Sequence, residues 1–165
     1  MKNRITFLIL GLTMISEISF AQQVNEKINY IAFKFEHSRR IPNYMVTIEI
    51  IKRQAETVVK VNSIPRGSDK RWANTKIDTS FIIASKLFVD LANEVLALNK
   101  TNLTKALLGG KDGTECTIEF GTFGSTVAYK FWSPDYDTEQ RGLTDFLKLC
   151  KKLIEIGGLK TKEIL

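Results

Sequence analysis

Cysteine and histidine are scarce in this sequence of 165 residues, which contains two cysteines and one histidine. This scarcity excludes a zinc cluster and a small scaffold held together by many disulfides. No run of 18 apolar residues follows the N-terminal segment, so we expect no transmembrane segment in the mature chain. With 44% hydrophobic and 25% charged residues, the composition is that of an ordinary globular domain and excludes a disordered or coiled-coil chain.

The N-terminal segment has the three parts of a bacterial secretory signal peptide. Its basic start contains Lys2 and Arg4, and its apolar middle is Ile5–Ile15. The small residues before the cleavage point are Ser19 and Ala21. The apolar run is too short to span a bilayer stably, which disfavours an uncleaved anchor. We therefore predict a signal peptide over residues 1–21. The mature chain, residues 22–165, is then a single α+β domain in the periplasm or outside the cell.

Alternation of apolar and polar residues predicts five strands, in a group of three followed by a group of two. These runs are Tyr30–Glu36, Tyr44–Arg53, Glu56–Ile64, Glu115–Phe120 and Thr126–Trp132. The first group is typical of an antiparallel meander with one buried face. The second group, around Gly121-Thr122-Phe123-Gly124, is typical of a hairpin.

Apolar residues at helical spacing predict two main helices. A polar stretch runs to Ile77, and Asp78-Thr79-Ser80 then offers N-caps for a helix whose apolar stripe runs from Ile83 to Leu98. A short helical turn is predicted within Thr101–Leu108. The last helix is predicted over Thr138–Ile156, stopped by Gly157-Gly158.

The resulting order, βββ-α-ββ-α, predicts a two-layer α+β sandwich with a five-stranded antiparallel sheet and two helices on one face. At the level of element order, the chain resembles type III secretion chaperones and several bacterial immunity and inhibitor proteins. The resemblance includes no shared motif and assigns no site residue.

The two cysteines are expected to face the layer between sheet and helix. Cys116 shares a strand face with Ile118 and Phe120, and Cys150 lies on the apolar stripe of the last helix. In an oxidising compartment they are candidates for a disulfide that closes a loop of about 35 residues. Two separate buried thiols explain the same positions, because facing one layer does not bring two Cα atoms within bonding range.

The other candidate motifs predict neither catalysis nor a cofactor. His37 ends a strand, and its neighbour Ser38 points to the opposite face, so the two do not form a catalytic pair. Asp135-Tyr136-Asp137-Thr138-Glu139 opens like a calcium loop but lacks the required glycine and final acid. Gly109 to Thr114 is glycine-rich without phosphate-loop spacing, and it is predicted to be an ordinary loop. We therefore predict no metal and no cofactor.

A basic segment is the clearest surface signal in the sequence. Residues 38–76 contain nine basic residues against three acidic ones, a net charge of +6. In a meander, two of its connections meet at one end of the sheet. This cluster, termed the basic rim, consists of Arg39, Arg40, Arg66, Lys70 and Arg71, with Trp72 among them.

The basic rim suggests a binding function, because arginine and tryptophan anchor interfaces and complementary charge speeds association. The main hypothesis is an exported, non-catalytic binding protein of the inhibitor, immunity or envelope-accessory type. It would recognise an acidic protein partner or an anionic envelope surface; export disfavours nucleic acid. A solvated basic surface without a specific partner explains the same residues.

Two other functions stay open from the sequence. One is an exported hydrolase acting on cell-envelope glycan or peptide through carboxylates, with Glu119, Asp135 and Asp137 as candidates. The other is a carrier with an apolar cavity under the sheet, although its aromatic residues are explained more simply as core.

Overall fold

The computed structural model describes residues 27–37, 43–65 and 76–165. Within these ranges the strands are β1 (Tyr30–His37), β2 (Met45–Lys52), β3 (Thr57–Ile64), β4 (Ile77–Ile83), β5 (Thr114–Thr122) and β6 (Ser125–Trp132). They form one antiparallel sheet with the order β4-β3-β2-β1-β5-β6. The fold class is α+β with an antiparallel sheet, as the sequence predicts.

Four α-helices complete the described part of the chain. They are α1 (Ser85–Ala97), which continues into a 3-10 turn at Leu98–Lys100, then α2 (Leu103–Ala106), α3 (Thr144–Ile156) and α4 (Thr161–Ile164). Among the residues described, no helix is both long and apolar enough to cross a membrane.

One face of the sheet and the apolar stripes of α1 and α3 form a single buried cluster. Every second residue of a strand points to the same face, so Ile31, Phe33 and Phe35 of β1 all enter this cluster. From the helices come Phe88 and Phe146, among others. Phe146 meets Phe131 of β6 edge-on, with ring centroids 4.8 Å apart. This contact fixes α3 across the C-terminal half of the sheet.

A sixth strand corrects the predicted five-stranded sheet. Asp78-Thr79-Ser80, predicted to cap a helix, lies inside β4, with Asp78 opposite Asn62 and Ser80 opposite Lys60 of β3. Ile83 ends this strand, and α1 begins only at Ser85, without a side-chain cap. The strand forms because its β-branched and aromatic residues suit a sheet, and because β3 offers it a row of backbone hydrogen-bonding partners.

The last long helix is shorter than predicted, beginning at Thr144 rather than Thr138. Gly142 has a φ of +67° and Asp137 a φ of +48°, both in the left-handed region, so residues 137–142 form a tight turn and cannot start the helix. Its predicted end is confirmed. Gly158 has a φ of +72°, and the Leu159 N–H donates to the Ile154 carbonyl at 3.1 Å.

Candidate functional site

The predicted basic rim, Arg39, Arg40, Arg66, Lys70, Arg71 and Trp72, lies outside the described residues. Its flanking residues are described. The chain leaves β1 after His37 and reappears at Asn43, and it leaves β3 through Pro65 and reappears at Lys76. Glu36 lies opposite Met45, Met45 opposite Ile64, and Ser63 opposite Ile77. All four flanking points therefore lie at the same end of the sheet, termed the rim end.

Hydrogen bonds fix the described residues at the rim end. The Ser63 hydroxyl donates to Oδ1 of Asn43 at 2.9 Å, and both residues are buried. The Tyr44 N–H donates to the Ile64 carbonyl at 3.0 Å, and the His37 N–H donates to the Tyr44 carbonyl at 3.0 Å. The strand ends that carry both connections are thus tied to one another.

The sheet face turned away from the core cluster, termed the open face, carries a network of paired charges. Lys34 Nζ lies 2.7 Å from Oε2 of Glu119, and Lys130 Nζ lies 2.7 Å from Oε1 of Glu115. The Thr126 hydroxyl donates to the second oxygen of Glu119 at 2.7 Å. Each pair joins neighbouring strands, so the network follows directly from the strand register.

Hydrogen bonding keeps Glu119 ionised. The bond from Lys34 is the main cause that lowers the pKa of this carboxyl, and the bond from Thr126 adds to it, against a smaller opposing effect of burial. At neutral pH, Glu119 is therefore an acceptor of hydrogen bonds and has no proton to donate. In any carboxylate mechanism it would be a base or a nucleophile and not the general acid.

Tyr30 occupies the other end of the open face. Its hydroxyl donates to Oε1 of Glu49 at 3.1 Å, and its ring centroid lies 5.9 Å from that of Phe123 in the β5–β6 turn. Partial burial, followed by the negative charge of Glu49, raises the pKa of Tyr30 above its usual range. The phenol therefore stays protonated and serves as a fixed donor.

A cleft on the open face has a volume of about 570 Å³ and is lined by two carboxylates. Its walls include Tyr30, Glu49, Lys60, Glu119 and Phe123. Glu49 and Glu119 both lie opposite Ala32 on either side of β1, so two strand spacings place their Cα atoms about 10 Å apart. Sequence reasoning missed Glu49, because only the register shows that it shares a row with Glu119.

Two further clefts connect this site to the rim end. One of about 390 Å³ is lined by residues that include Lys34, Glu115 and Lys130. The other, of about 410 Å³, lies at the rim end, between Glu36, Glu115, Lys111 and the aromatic residues Tyr44 and Trp132. Because neighbouring clefts share Glu119 or Glu115, the three clefts form one continuous surface on the open face, with charged and apolar residues side by side.

Two glycines of the predicted loop at 109–114 make room for Trp132. A Cβ on Gly110 would lie 2.3 Å from Cζ2 of Trp132, and one on Gly113 would lie 2.5 Å from Cε2. Real side chains do not approach so closely, so the indole lies directly on the loop backbone. This contact fixes one wall of the rim-end cleft.

The three carboxylates predicted for a hydrolase do not converge. The Ser133 N–H donates to the Thr114 carbonyl at 2.7 Å, so Asp135 and Asp137 follow β6 near the start of β5. Glu119 lies five residues further along β5, about 16 Å away. Among the residues described, no group of three histidine, cysteine or acidic side chains is arranged to hold a metal ion.

Arg141 is a buried cation that sequence reasoning did not single out. Its guanidinium makes five hydrogen bonds to four backbone carbonyls, those of Ala106, Trp132, Ser133 and Tyr136, at 2.7–3.1 Å. Burial lowers its pKa, and the charges of Asp137 and Asp135 oppose that shift. Its role is to hold the loop after β6 against α2. The only sequence signal is one arginine among the turn residues Pro134, Asp137 and Gly142.

Both cysteines lie where the sequence places them. Cys116 on β5 and Cys150 on α3 are fully buried in the core cluster and are free thiols. The pKa of Cys150 is raised well above its usual range, first by burial. Because both side chains are buried in the core, reagents reach these thiols far less readily than an exposed cysteine.

Comparison of the sequence with protein families and curated proteins identifies no relative. The sequence matches no protein-family model and no curated protein at a significant level. The function therefore has to be argued from the rim end, the open face and the core.

Proposed function

We propose that the chain is an exported, non-catalytic binding protein of the inhibitor, immunity or envelope-accessory type. In this proposal residues 1–21 are removed on export, and the mature chain folds as a two-layer sandwich with α1 and α3 on one face of the sheet. An acidic protein partner binds the basic rim.

The observation that carries the proposal is the common position of the strand ends at the rim end. The connections after β1 and after β3 contain six of the nine basic residues between 38 and 76, the five of the basic rim and Lys76, and they attach to the same end of one sheet. Connections with neighbouring attachment points concentrate their charge in a small volume. Concentrated positive charge steers an acidic partner and orients it on arrival.

The charge pairing on the open face is a second argument for the same proposal. Its carboxylates Glu119 and Glu115, the second of them at the rim end, are already paired with lysines, so they add little net negative charge beside the proposed basic rim. Such a contrast favours a partner that covers the rim end with its acidic residues and leaves the middle of the sheet uncovered. Trp132 and Tyr44 in the rim-end cleft provide aromatic contact area next to the proposed interface.

A pair of charge reversals tests the proposal against a matched control. Proteins captured from an envelope extract by the wild type are identified, and association rates with each are measured at low and high salt. Arg40→Glu with Arg71→Glu is expected to slow association at low salt by about tenfold or more and to flatten the salt dependence. The control, Lys148→Glu with Lys151→Glu, changes net charge equally on the exposed side of α3 and is expected to have little effect.

Equal rates for both double variants would contradict recognition through the basic rim. Thermal stability is measured alongside, and it is expected to change little in either variant because exposed charges contribute little to folding. If the melting temperature of the rim variant is much lower than that of the wild type, the single reversal Arg40→Glu is used instead, with Lys148→Glu as its control.

One observation favours the alternative of a carboxylate-dependent hydrolase acting on cell-envelope glycan or peptide. Glu49 and Glu119 line the same 570 Å³ cleft on opposite sides of β1. Because Glu119 is ionised, this alternative requires Glu49 as the general acid and Glu119 as the base or nucleophile. The ion pair with Lys34 weakens Glu119 in that role, which is why binding is preferred as the proposal.

The alternative has its own test. Wild type, Glu49→Gln and Glu119→Gln are assayed for release of soluble fragments from purified peptidoglycan, with Glu155→Gln on the surface of α3 as the control. Hydrolysis that is lost in both cleft variants and kept in the control would establish the enzyme. No release by the wild type would dismiss it.

A further inference from the structure

The strongest unexplained feature of the core is the position of its two thiols. Cys116 lies opposite Phe131 in the β5–β6 pair, and Cys150 follows Phe146 by four residues, one turn further along α3. The two phenylalanines meet with ring centroids 4.8 Å apart. Cys116 is thus one strand away from this contact and Cys150 one helical turn away from it, both on the side of the core cluster.

The two thiols are close enough to influence each other, because Cys116 adds to the effect of burial in raising the pKa of Cys150. They are the only two cysteines of the whole sequence, so no other intramolecular pairing competes. Both are fully buried, which prevents the folded protein from forming a disulfide with a second copy.

We propose that Cys116 and Cys150 form a disulfide between the sheet and α3 when the chain folds in an oxidising environment. The oxidant is a small-molecule or protein disulfide. One cysteine thiolate attacks it, forms a mixed disulfide and releases the first thiol. The second cysteine then attacks the mixed disulfide, releases the second thiol and closes the bond. Two electrons pass to the oxidant, and the protons lost by the cysteines are taken up by the thiols it releases.

The timing of the bond follows from burial. Thiolate is the reactive form, and an oxidant has no path to a core side chain of the closed fold, so the bond has to form before α3 packs on the sheet. For the same reason a reductant does not reach the finished bond. The reduced and oxidised proteins are therefore two folded forms that exchange only when the core opens.

Refolding the full chain in two redox buffers tests the proposal. The denatured, reduced protein is refolded with mixed reduced and oxidised glutathione, or with dithiothreitol alone. Each product is denatured, alkylated and weighed, and then digested for peptide mapping. The glutathione product is expected to lack two hydrogen atoms, to resist alkylation, to give one peptide that joins residues 116 and 150, and to melt roughly 10 °C above the reduced form.

Variants and a second measurement complete the test. Cys150→Ala refolded in the two buffers should give products with the same melting temperature. The reduced wild type, once folded, should stay unlabelled by iodoacetamide under native conditions, a measurement that needs no variant. Two alkylated cysteines after oxidative refolding, a glutathione adduct, a disulfide-linked dimer, or a bridged form that melts below the reduced form would each overturn the proposal. The test uses no partner, so its failure is distinct from failure of the proposed binding function.

Discussion

Arg141 offers a quantitative test of how the loop after β6 is held. Replacing it with leucine keeps much of the apolar volume and removes all five hydrogen bonds of the guanidinium. Four backbone carbonyls then lose the guanidinium in a region where Arg141 was only 6% exposed, and of these the Ser133 carbonyl keeps a bond from the Tyr136 N–H at 3.0 Å. An unsatisfied buried carbonyl costs about 1–3 kcal/mol, and the lower end applies where water can enter after the change.

The expected loss for Arg141→Leu is therefore about 3–5 kcal/mol of unfolding free energy. The loop also contains Ser133 and Asp137 at positive φ, 38° and 48°, conformations that persist only when surrounding contacts impose them. Arg141→Lys should lose less, roughly 2 kcal/mol, because an ammonium has three donors but cannot reproduce the planar fork that reaches Ala106 twice.

Urea denaturation followed by circular dichroism measures these losses. With an m-value of about 2 kcal/mol per molar, Arg141→Leu should lower the midpoint by roughly 2 M. Lys148→Leu, an exposed cation of α3, is the control and should change the free energy by less than about 0.5 kcal/mol. If Arg141→Leu and Lys148→Leu shift the midpoint equally, the loop is held by other contacts and the reasoning is wrong.

Three further predictions concern separate parts of the chain. The exported protein should begin at Gln22, and an intact mass that retains the first 21 residues would point to an anchor instead. The pKa of Glu119 is lower in the folded protein than its unfolded value near 4.5, so the ionised carboxylate stabilises the fold above that pH. This stabilisation disappears as the pH falls through the folded pKa. Between pH 7 and pH 3, the urea midpoint of Glu119→Gln should therefore fall less than that of the wild type. Gly113→Ala should displace the Trp132 indole, which would shift its fluorescence maximum to the red and lower the melting temperature. Gly109→Ala is the control and should match the wild type, because a Cβ at this position meets nothing within 4 Å. An unshifted spectrum for Gly113→Ala would show that the position of the indole does not depend on the absence of a Cβ at residue 113.

Strands with clean alternation were predictable, and the sixth strand was not. In β4, Phe81, Ile82 and Ile83 are consecutive apolar residues that continue into the apolar stripe of α1. The alternation typical of a strand is therefore hidden in the 3.6-residue pattern of the helix that follows. Asp78, Thr79 and Ser80 are good helix caps and equally tolerable on an exposed edge strand. Only the unpaired edge of β3, a tertiary feature, decides between the two structures.

Charge composition predicted a basic rim, whereas the arrangement of the open face needed the register. Lys34 and Glu119 are 85 residues apart in sequence and form an ion pair because β1 and β5 are neighbours. The sequence predicts that Glu119 points away from the core, but it contains no signal that Glu49 lies two strands away in the same row. Arg141 was missed for a related reason, because its partners are backbone carbonyls and leave no mark in the side-chain pattern.

The position of β1 has a consequence for the order in which the protein folds. Strands β1 to β4 are consecutive neighbours, so they can pair before the rest of the chain is available. The other side of β1, however, waits for β5, which comes much later in the chain. Until then the strand that contains Phe33 and Phe35 presents a bare apolar edge to other chains, and such edges aggregate. We therefore expect the pairing of β1 with β5 to be the slow step of folding, and the chain to be most prone to aggregation just before its second hairpin forms.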